Sequence, residues 1–162
     1  RSFPRGEALS AQYVGGGVKG QARLAKLAMP EGTPVIYDDG CYIVPHDNGT
    51  VAVGSTSVKA WDNEKNPDPE NWGFFDKAKA LCPVLRGAPI MREWAGVRPK
   101  AHLREPIVGA LPGFVDVYLF TGGFKISFGI AHYAAKALVQ EITGKPSQIA
   151  LPRTFLPEHH FK

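Results

Sequence analysis

Apolar residues gather in two short runs, Cys41-Tyr-Ile-Val-Pro45 and Thr50-Val-Ala-Val-Gly-Ser-Thr56, each of strand length. Between them His46-Asp-Asn-Gly49 contains an Asn-Gly pair. That pair tolerates the positive φ of a tight turn, so the two runs are read as a hairpin. Ile90–Gly96 alternates well enough for a further strand, and Val115-Asp-Val-Tyr-Leu-Phe120 is apolar on both faces toward its end, the pattern of a strand central in a sheet. From Ser127 to Thr143 the period lengthens. Ile130, Ala134, Ala137, Leu138 and Ile142 fall on one helical face, and Gly144 with Pro146 closes the helix. Asp68-Pro69-Glu70 reads as another helix start, a capping carboxylate before a proline at the first helical position, with Pro83 stopping that helix after about Leu81. Together these elements predict an α+β fold, a mixed and largely antiparallel sheet with two main helices. Residues 1–18 read as irregular or linker-like, and the tail beyond Ser147 as irregular.

Composition narrows the class. A chain of 162 residues is one ordinary domain that buries roughly 70% of the surface its unfolded form exposes, without disulfides or metal. No apolar run approaches the roughly 20 residues needed to span a bilayer. The net charge of +4 is spread among Asp and Glu with no basic block or helical stripe, which argues against nucleic acid. Cys41 and Cys82 make no metal framework, His159 and His160 have no partners at metal-ligand spacing, and His46 is a lone turn histidine, so no metal is expected. Without a signal-peptide pattern the two cysteines are expected as reduced thiols in the cytoplasm. The opening on Arg1 reads as the middle of something longer.

Two segments carry candidate chemistry. Trp94-Ala-Gly-Val-Arg98-Pro99 and Phe120-Thr-Gly-Gly-Phe-Lys125 each place a cation where a strand gives way to another element, the second beside a glycine-opened helix start where negative charge is stabilised. They are read as a grip for a small anion, against the plainer alternative of a surface salt bridge. A competing motif lies upstream. Gly15-Gly-Gly-Val-Lys-Gly20 satisfies G-x-G-x-x-G, with Asp38 near the spacing of a ribose-binding acid. A dinucleotide site requires an apolar strand before the glycines and a long helix over Gln21 to Met29, yet Ala11-Gln-Tyr-Val14 is thin and Pro30 cuts the helix short. A glycine turn feeding a strand through Lys19-Gly-Gln-Ala-Arg-Leu-Ala is the favoured expectation.

Lys19-Gly20-Gln21, Cys41-Tyr-Ile-Val-Pro45, Val53-Gly-Ser-Thr56, Trp94-Ala-Gly-Val-Arg-Pro99, Pro106-Ile-Val-Gly109 and Thr121-Gly-Gly-Phe-Lys125, in that order, resemble the C-terminal half of the glycine oxidase and D-amino-acid oxidase flavoproteins. The resemblance implies residues 1–114 as a substrate-binding domain and 115–146 as the last strand and helix of a flavin domain whose N-terminal segment is missing. It implies that Arg98 binds the substrate carboxylate, a role that the fork of a guanidinium suits. Lys125 falls where glycine-oxidase-like members carry a second arginine, while Gly-Phe-Lys is similar to the sarcosine oxidase branch. Tyr42 matches a tyrosine that reaches toward the carboxylate, and Tyr37 one near the pocket entrance; both also suit half-buried packing in a sheet. Gly122, Gly123, Phe124, Lys125, Ile126, Ser127, Phe128 and Gly129 align with the loop that touches the flavin, here FAD held without a covalent bond. The implied activity is oxidation of the C–N bond of a small amino acid or secondary amine by hydride transfer, with this piece alone inactive. The missing domain would be a partner, and the bare sheet it leaves would favour self-association. The other class of reading is a non-catalytic α+β binding domain.

Overall fold

The computed structural model describes residues 14–146 and 148–161. The chain divides into two compact units, one over Val18–Val97 and the other built from Arg98–Lys162 with the segment preceding Val18.

The first unit is a sheet with a helix on one face. Its sheet has the strands β1 (Gly15–Lys26), β2 (Ile36–Asp38), β3 (Cys41–His46), β4 (Thr50–Gly54) and β5 (Ile90–Ala101), in the order β2-β3-β4-β1-β5, with the start of β1 before Val18 and the end of β5 from Arg98 counted to the second unit. Arg23 pairs with Val53, Val53 with Ile43, and Ile43 with Ile36, so these residues share a side. On that side Ala25, Cys41, Ile43, Val51 and Val53 bury themselves against Phe75, Ala78, Cys82 and Leu85 of helix α1 (Gly73–Leu81) and the turn after it. The opposite face carries Ala22, Gly54, Tyr42 and Tyr37 in one row.

The hairpin forms where the pattern placed it, with a different turn. His46 pairs with Thr50, leaving three residues in the loop, and only Gly49 takes a positive φ, +77°. Asn48 uses its side chain instead, accepting a hydrogen bond from the Thr50 hydroxyl at 2.7 Å. A three-residue loop closed by a left-handed glycine matches strand twist without a second strained residue. The glycine motif at Gly15–Gly20 is not a turn: it lies inside β1, and Gln21–Lys26 continues the strand. The dinucleotide reading fails on that point. Asp38, its supposed ribose ligand, closes β2 and pairs with Lys77 at 2.9 Å.

Lys19 explains the strand. Its amide and carbonyl exchange hydrogen bonds with Val58, each 2.8 Å. Its side chain is fully buried, and its ammonium pairs with the carboxylate of Asp68. Gln21 completes the link, donating from Nε2 to the Asp68 carbonyl at 3.0 Å and accepting from the Asp68 amide at 2.8 Å. Asp68 is therefore not the helix cap its position suggested, since its carboxylate is spent on Lys19. Pro69–Trp72 forms a 3-10 turn without a side-chain cap, and α1 follows from Gly73.

In the second unit β6 (Ile107–Ala110) pairs antiparallel with β7 (Tyr118–Thr121). Helix α2 (Ser127–Ile142) buries Ala134 and Ala137, while Ile142 lies exposed at its end. The run Val115–Phe120 is not a central strand. Asp116 turns with φ +57°, Val115 is 88% exposed, and β7 begins only at Tyr118 in a two-stranded sheet. The tail is more regular than its sequence suggests: a 3-10 turn at Arg153–Phe155 leads into the one-turn helix α3 (Pro157–His160). Pro157 lies close to Gly109, where a Cβ would stand 3.0 Å from the proline ring. His160 is buried, with Nε2 donating to the Thr154 carbonyl at 2.9 Å.

Two stability predictions follow from these buried groups. Replacing Lys19 by Met leaves Asp68 without its cation and is expected to cost about 2–3 kcal/mol, less than for a fully buried pair because Asp68 is partly solvated. Chemical denaturation should show that loss, with part of it recovered in the Lys19→Met, Asp68→Asn double variant. Burial holds the His160 imidazole below its ordinary value, so the unfolded chain takes up the proton more readily than the fold. Stability is accordingly full above pH of about 6.5 and falls as pH drops from there through the lowered folded value. Thermal melts across that range should flatten in His160→Gln.

Candidate functional site

The end of β5 and the loop before α2 are joined by backbone. The Ala101 amide donates to the Gly122 carbonyl at 3.2 Å, and Lys100 pairs antiparallel with Gly123. Contact this close needs glycine. A Cβ at residue 122 would stand 2.8 Å from that of Ala101, and φ there is +77°. At residue 123 a Cβ would meet the Ser127 hydroxyl at 2.7 Å, so that side chain would have to turn away. Arg98 lies on β5 just before this junction, and Lys125 lies just after it on the loop. Thus the two cations that the sequence singled out flank one backbone junction within the second unit.

The loop itself is tightly made. Phe124 adopts φ +45°, which costs a side chain with a Cβ and persists only where surrounding contacts impose it. The Ile126 amide donates to the Gly123 carbonyl at 3.0 Å, and the Ser127 hydroxyl to the Phe124 carbonyl at 3.1 Å. After the 3-10 turn Phe124–Ile126, α2 starts with no side-chain cap and no acidic residue in its first turn. Helix starts left this way offer backbone N–H donors and a partial positive charge. Ile126 and Phe128 are exposed beside it, Phe128 at 98%, and the space around Gly129 is open. Backbone donors flanked by apolar side chains fit a flat ring system that gathers negative charge when reduced, so Gly122–Gly129 are compatible with the flavin of FAD.

The cations differ in character. Arg98 is half-buried, and burial pulls its guanidinium below its ordinary pKa while leaving it charged at neutral pH. A desolvated guanidinium gains more from an anion than an exposed one does. Lys125 is exposed, its ammonium 5.7 Å from the centre of the Phe124 ring. Lys100, which sequence reasoning passed over, stands 5.3 Å from the same ring. Its signal was present in the chain: it follows Arg98 by two residues and so shares its side of the strand.

Tyr37 and Tyr42 belong to the first unit. They are a cross-strand pair of β2 and β3, their rings 4.5 Å apart and inclined at 40°, on the sheet face opposite α1. Both are substantially exposed there, with their hydroxyls available to a ligand or to solvent. The cysteines are unreactive by comparison: Cys41 and Cys82 are buried, and burial pushes the Cys41 thiol up. Among the described residues no cluster of His, Cys, Asp and Glu suits a metal ion, and no helix is long and apolar enough to cross a membrane.

Comparison with known proteins gives the family. Residues 9–137 match the model of the FAD dependent oxidoreductase family. The chain is 32% identical to glycine oxidase of Bacillus subtilis over 68% of its own length, and 31% identical to glycine oxidase of Pseudomonas putida over 87%. It spans only 30% and 38% of those two proteins. Its fold superposes on the crystal structure of glycine oxidase from Geobacillus kaustophilus with a TM-score of 0.79, covering 90% of this chain and 40% of that one at 20% identity. With most of its length matched by the family model, the chain belongs to the FAD dependent oxidoreductase family.

Proposed function

We propose that the chain is the substrate-side portion of a longer flavoenzyme that oxidises the C–N bond of a small amino acid or secondary amine. The observation that carries the proposal is the backbone junction of Ala101 with Gly122, which holds the Arg98 strand end beside the uncapped start of α2. FAD, bound there without a covalent link, supplies the acceptor for a hydride from the carbon next to nitrogen. Arg98 does the orienting. Its two parallel N–H donors match the two oxygens of a carboxylate, which fixes both the charge and the direction of the amine. Lys125 adds attraction with less geometry, being a point charge on a flexible stem. Tyr42 and Tyr37 are assigned to the substrate on the family resemblance. No side chain is asked to take a proton, because an amine bound in its neutral form gives up hydride directly, and positioning supplies most of the acceleration.

The similarity to glycine oxidases supports a small amino acid as substrate. The chain spans about a third of those relatives, so the remaining contacts to the cofactor are assigned to segments outside these 162 residues. Exposed Phe128 and Val115 give such a segment an apolar surface to cover. The two free thiols suit a reducing compartment, and we assign the protein to the cytoplasm.

Two measurements test the reading. In the full-length protein, Arg98→Ala should raise KM for amino-acid substrates about 10- to 100-fold, the loss of one charge-assisted bidentate contact, while flavin absorbance is retained. An unchanged KM across glycine, sarcosine, D-alanine and D-proline removes Arg98 from the site. The 162-residue chain purified alone should carry far less than one flavin per molecule and show no turnover. Near-stoichiometric flavin absorbance would instead place the whole cofactor site within this chain.

A further inference from the structure

Segment 152–161 lies against β6 without adding a strand to it. The Phe155, Leu156, His159 and Phe161 amides donate to the carbonyls of Pro152, Arg153, Leu156 and Pro157, so each of these bonds closes within the segment. Its hold on the second unit comes from packing. Pro157 is buried against Gly109 of β6, and His160 is 4% exposed beside Glu105 and Pro106, which lead into that strand. A segment held by a few packed side chains opens at less cost than the whole domain.

His160 is the sensitive point of the contact. Its Nε2–H donates to the Thr154 carbonyl at 2.9 Å, which pins the 3-10 turn to α3. Nδ1 is enclosed without a hydrogen-bond partner. A proton arriving there makes the ring a buried cation. The Pro106 carbonyl and the Glu105 carboxylate favour that cation, as does the Thr154 carbonyl from the 3-10 turn; burial and the His159 ring oppose it, and burial prevails. Glu141 of α2 also reaches Gly109, where its Oε1 accepts from the Ala110 amide at 3.1 Å.

What the segment packs against supports the candidate site. Gly109 pairs with Leu119 of β7 and Ile107 with Thr121, and the Ile107 side chain stands 3.5 Å from where a Cβ on residue 122 would lie. The strand under Pro157 is therefore the backing of the Gly122 junction. We propose that segment 152–161 is a proton-released strap: with His160 neutral it clamps β6 behind that junction, and uptake of a proton at Nδ1 frees the strap and slackens the junction. The released imidazole binds the proton better than the enclosed one. Release therefore grows as pH falls below about 6.5, by up to about tenfold per pH unit for one proton, and levels off below the lowered folded value.

Amide hydrogen exchange on the full-length protein between about pH 5 and about pH 7.5, corrected for the intrinsic chemical rate, tests it. Below about pH 6.5, opening at His159 and Phe161 should rise by up to about tenfold per pH unit, and at Ala101 and Ile126 by at least about twofold, while β3 and β4 stay constant. His160→Gln keeps an amide donor for Thr154 but takes up no proton, so its opening should stay level across the range. His159→Gln should behave as the wild type. Opening of the strap that ignores pH, a rise shared equally by β3 and β4, or a rise that persists in His160→Gln would each overturn the proposal. So would constant protection at Ala101 and Ile126, since the strap would then brace nothing at the junction. Should His160→Gln not fold, the His160 ring resonance of the wild type decides: it should titrate below about 6.5, and a midpoint at or above that value overturns the proposal.

Discussion

A Cβ on residue 122 would stand 2.8 Å from that of Ala101, so only glycine lets the end of β5 and the loop before α2 share a backbone hydrogen bond. Everything in the candidate site hangs on that junction. It sets Arg98 and Lys100 on one stitched segment and Gly123–Gly129 on the other, and the left-handed turn at Gly122 and Phe124 aims the chain into α2. Strain at Phe124 is tolerable because Ser127 and Ile126 close the loop on both sides of it. Positioning by backbone has a functional advantage over positioning by side chains. Backbone groups have little freedom to lose when a ligand arrives, so the N–H donors stay in place without further ordering.

In the other unit the organising contact is buried and polar. Lys19, Gln21 and Asp68 tie a long excursion of chain back onto β1, each of them satisfied by at least one of the others. A buried pair of this kind adds little net stability over apolar packing, but breaking it leaves an uncompensated charge. Its value lies in register, since a one-residue slip of β1 would turn Lys19 and Gln21 toward the opposite face. Next to it Arg23 is similarly committed: its guanidinium bonds Glu93 at 2.7 Å and stacks 3.8 Å from the Trp72 ring. The interior therefore uses its cations structurally on one sheet face, while the face bearing Tyr37 and Tyr42 stays open.

Charge placement distinguishes the two units in chemical terms. Lys19 and Arg23 have carboxylate partners within the fold, so they answer to stability. Lys100 and Lys125 face an aromatic ring instead, near a helix start with no acidic residue in its first turn. The chain's membership of the FAD dependent oxidoreductase family is what makes that positive region the candidate site.

Local pattern was enough for much of the architecture. The hairpin at Cys41–Gly54, the helix from Ser127, and the α+β class were all legible, since an Asn-Gly turn between two apolar runs and a helical period are local signals. The family was legible too, through motif order and not through periodicity. Other features depended on partners distant in sequence. Gly15–Gly20 reads as a nucleotide motif until Val58 and Asp68 pair with Lys19 and draw it into β1. Asp68 reads as a cap until that same lysine takes its carboxylate. Val115–Phe120 reads as a central strand because apolar residues look alike whether or not a neighbour covers them, and His160 reads as tail until Thr154 and its surroundings bury it. By itself the sequence determined the α+β class, the hairpin, the long helix and the family. Only the tertiary structure decided which polar groups spend their charge on the fold, Lys19 and Asp68 among them, because that depends on what lies across the sheet and not on the neighbours in the chain.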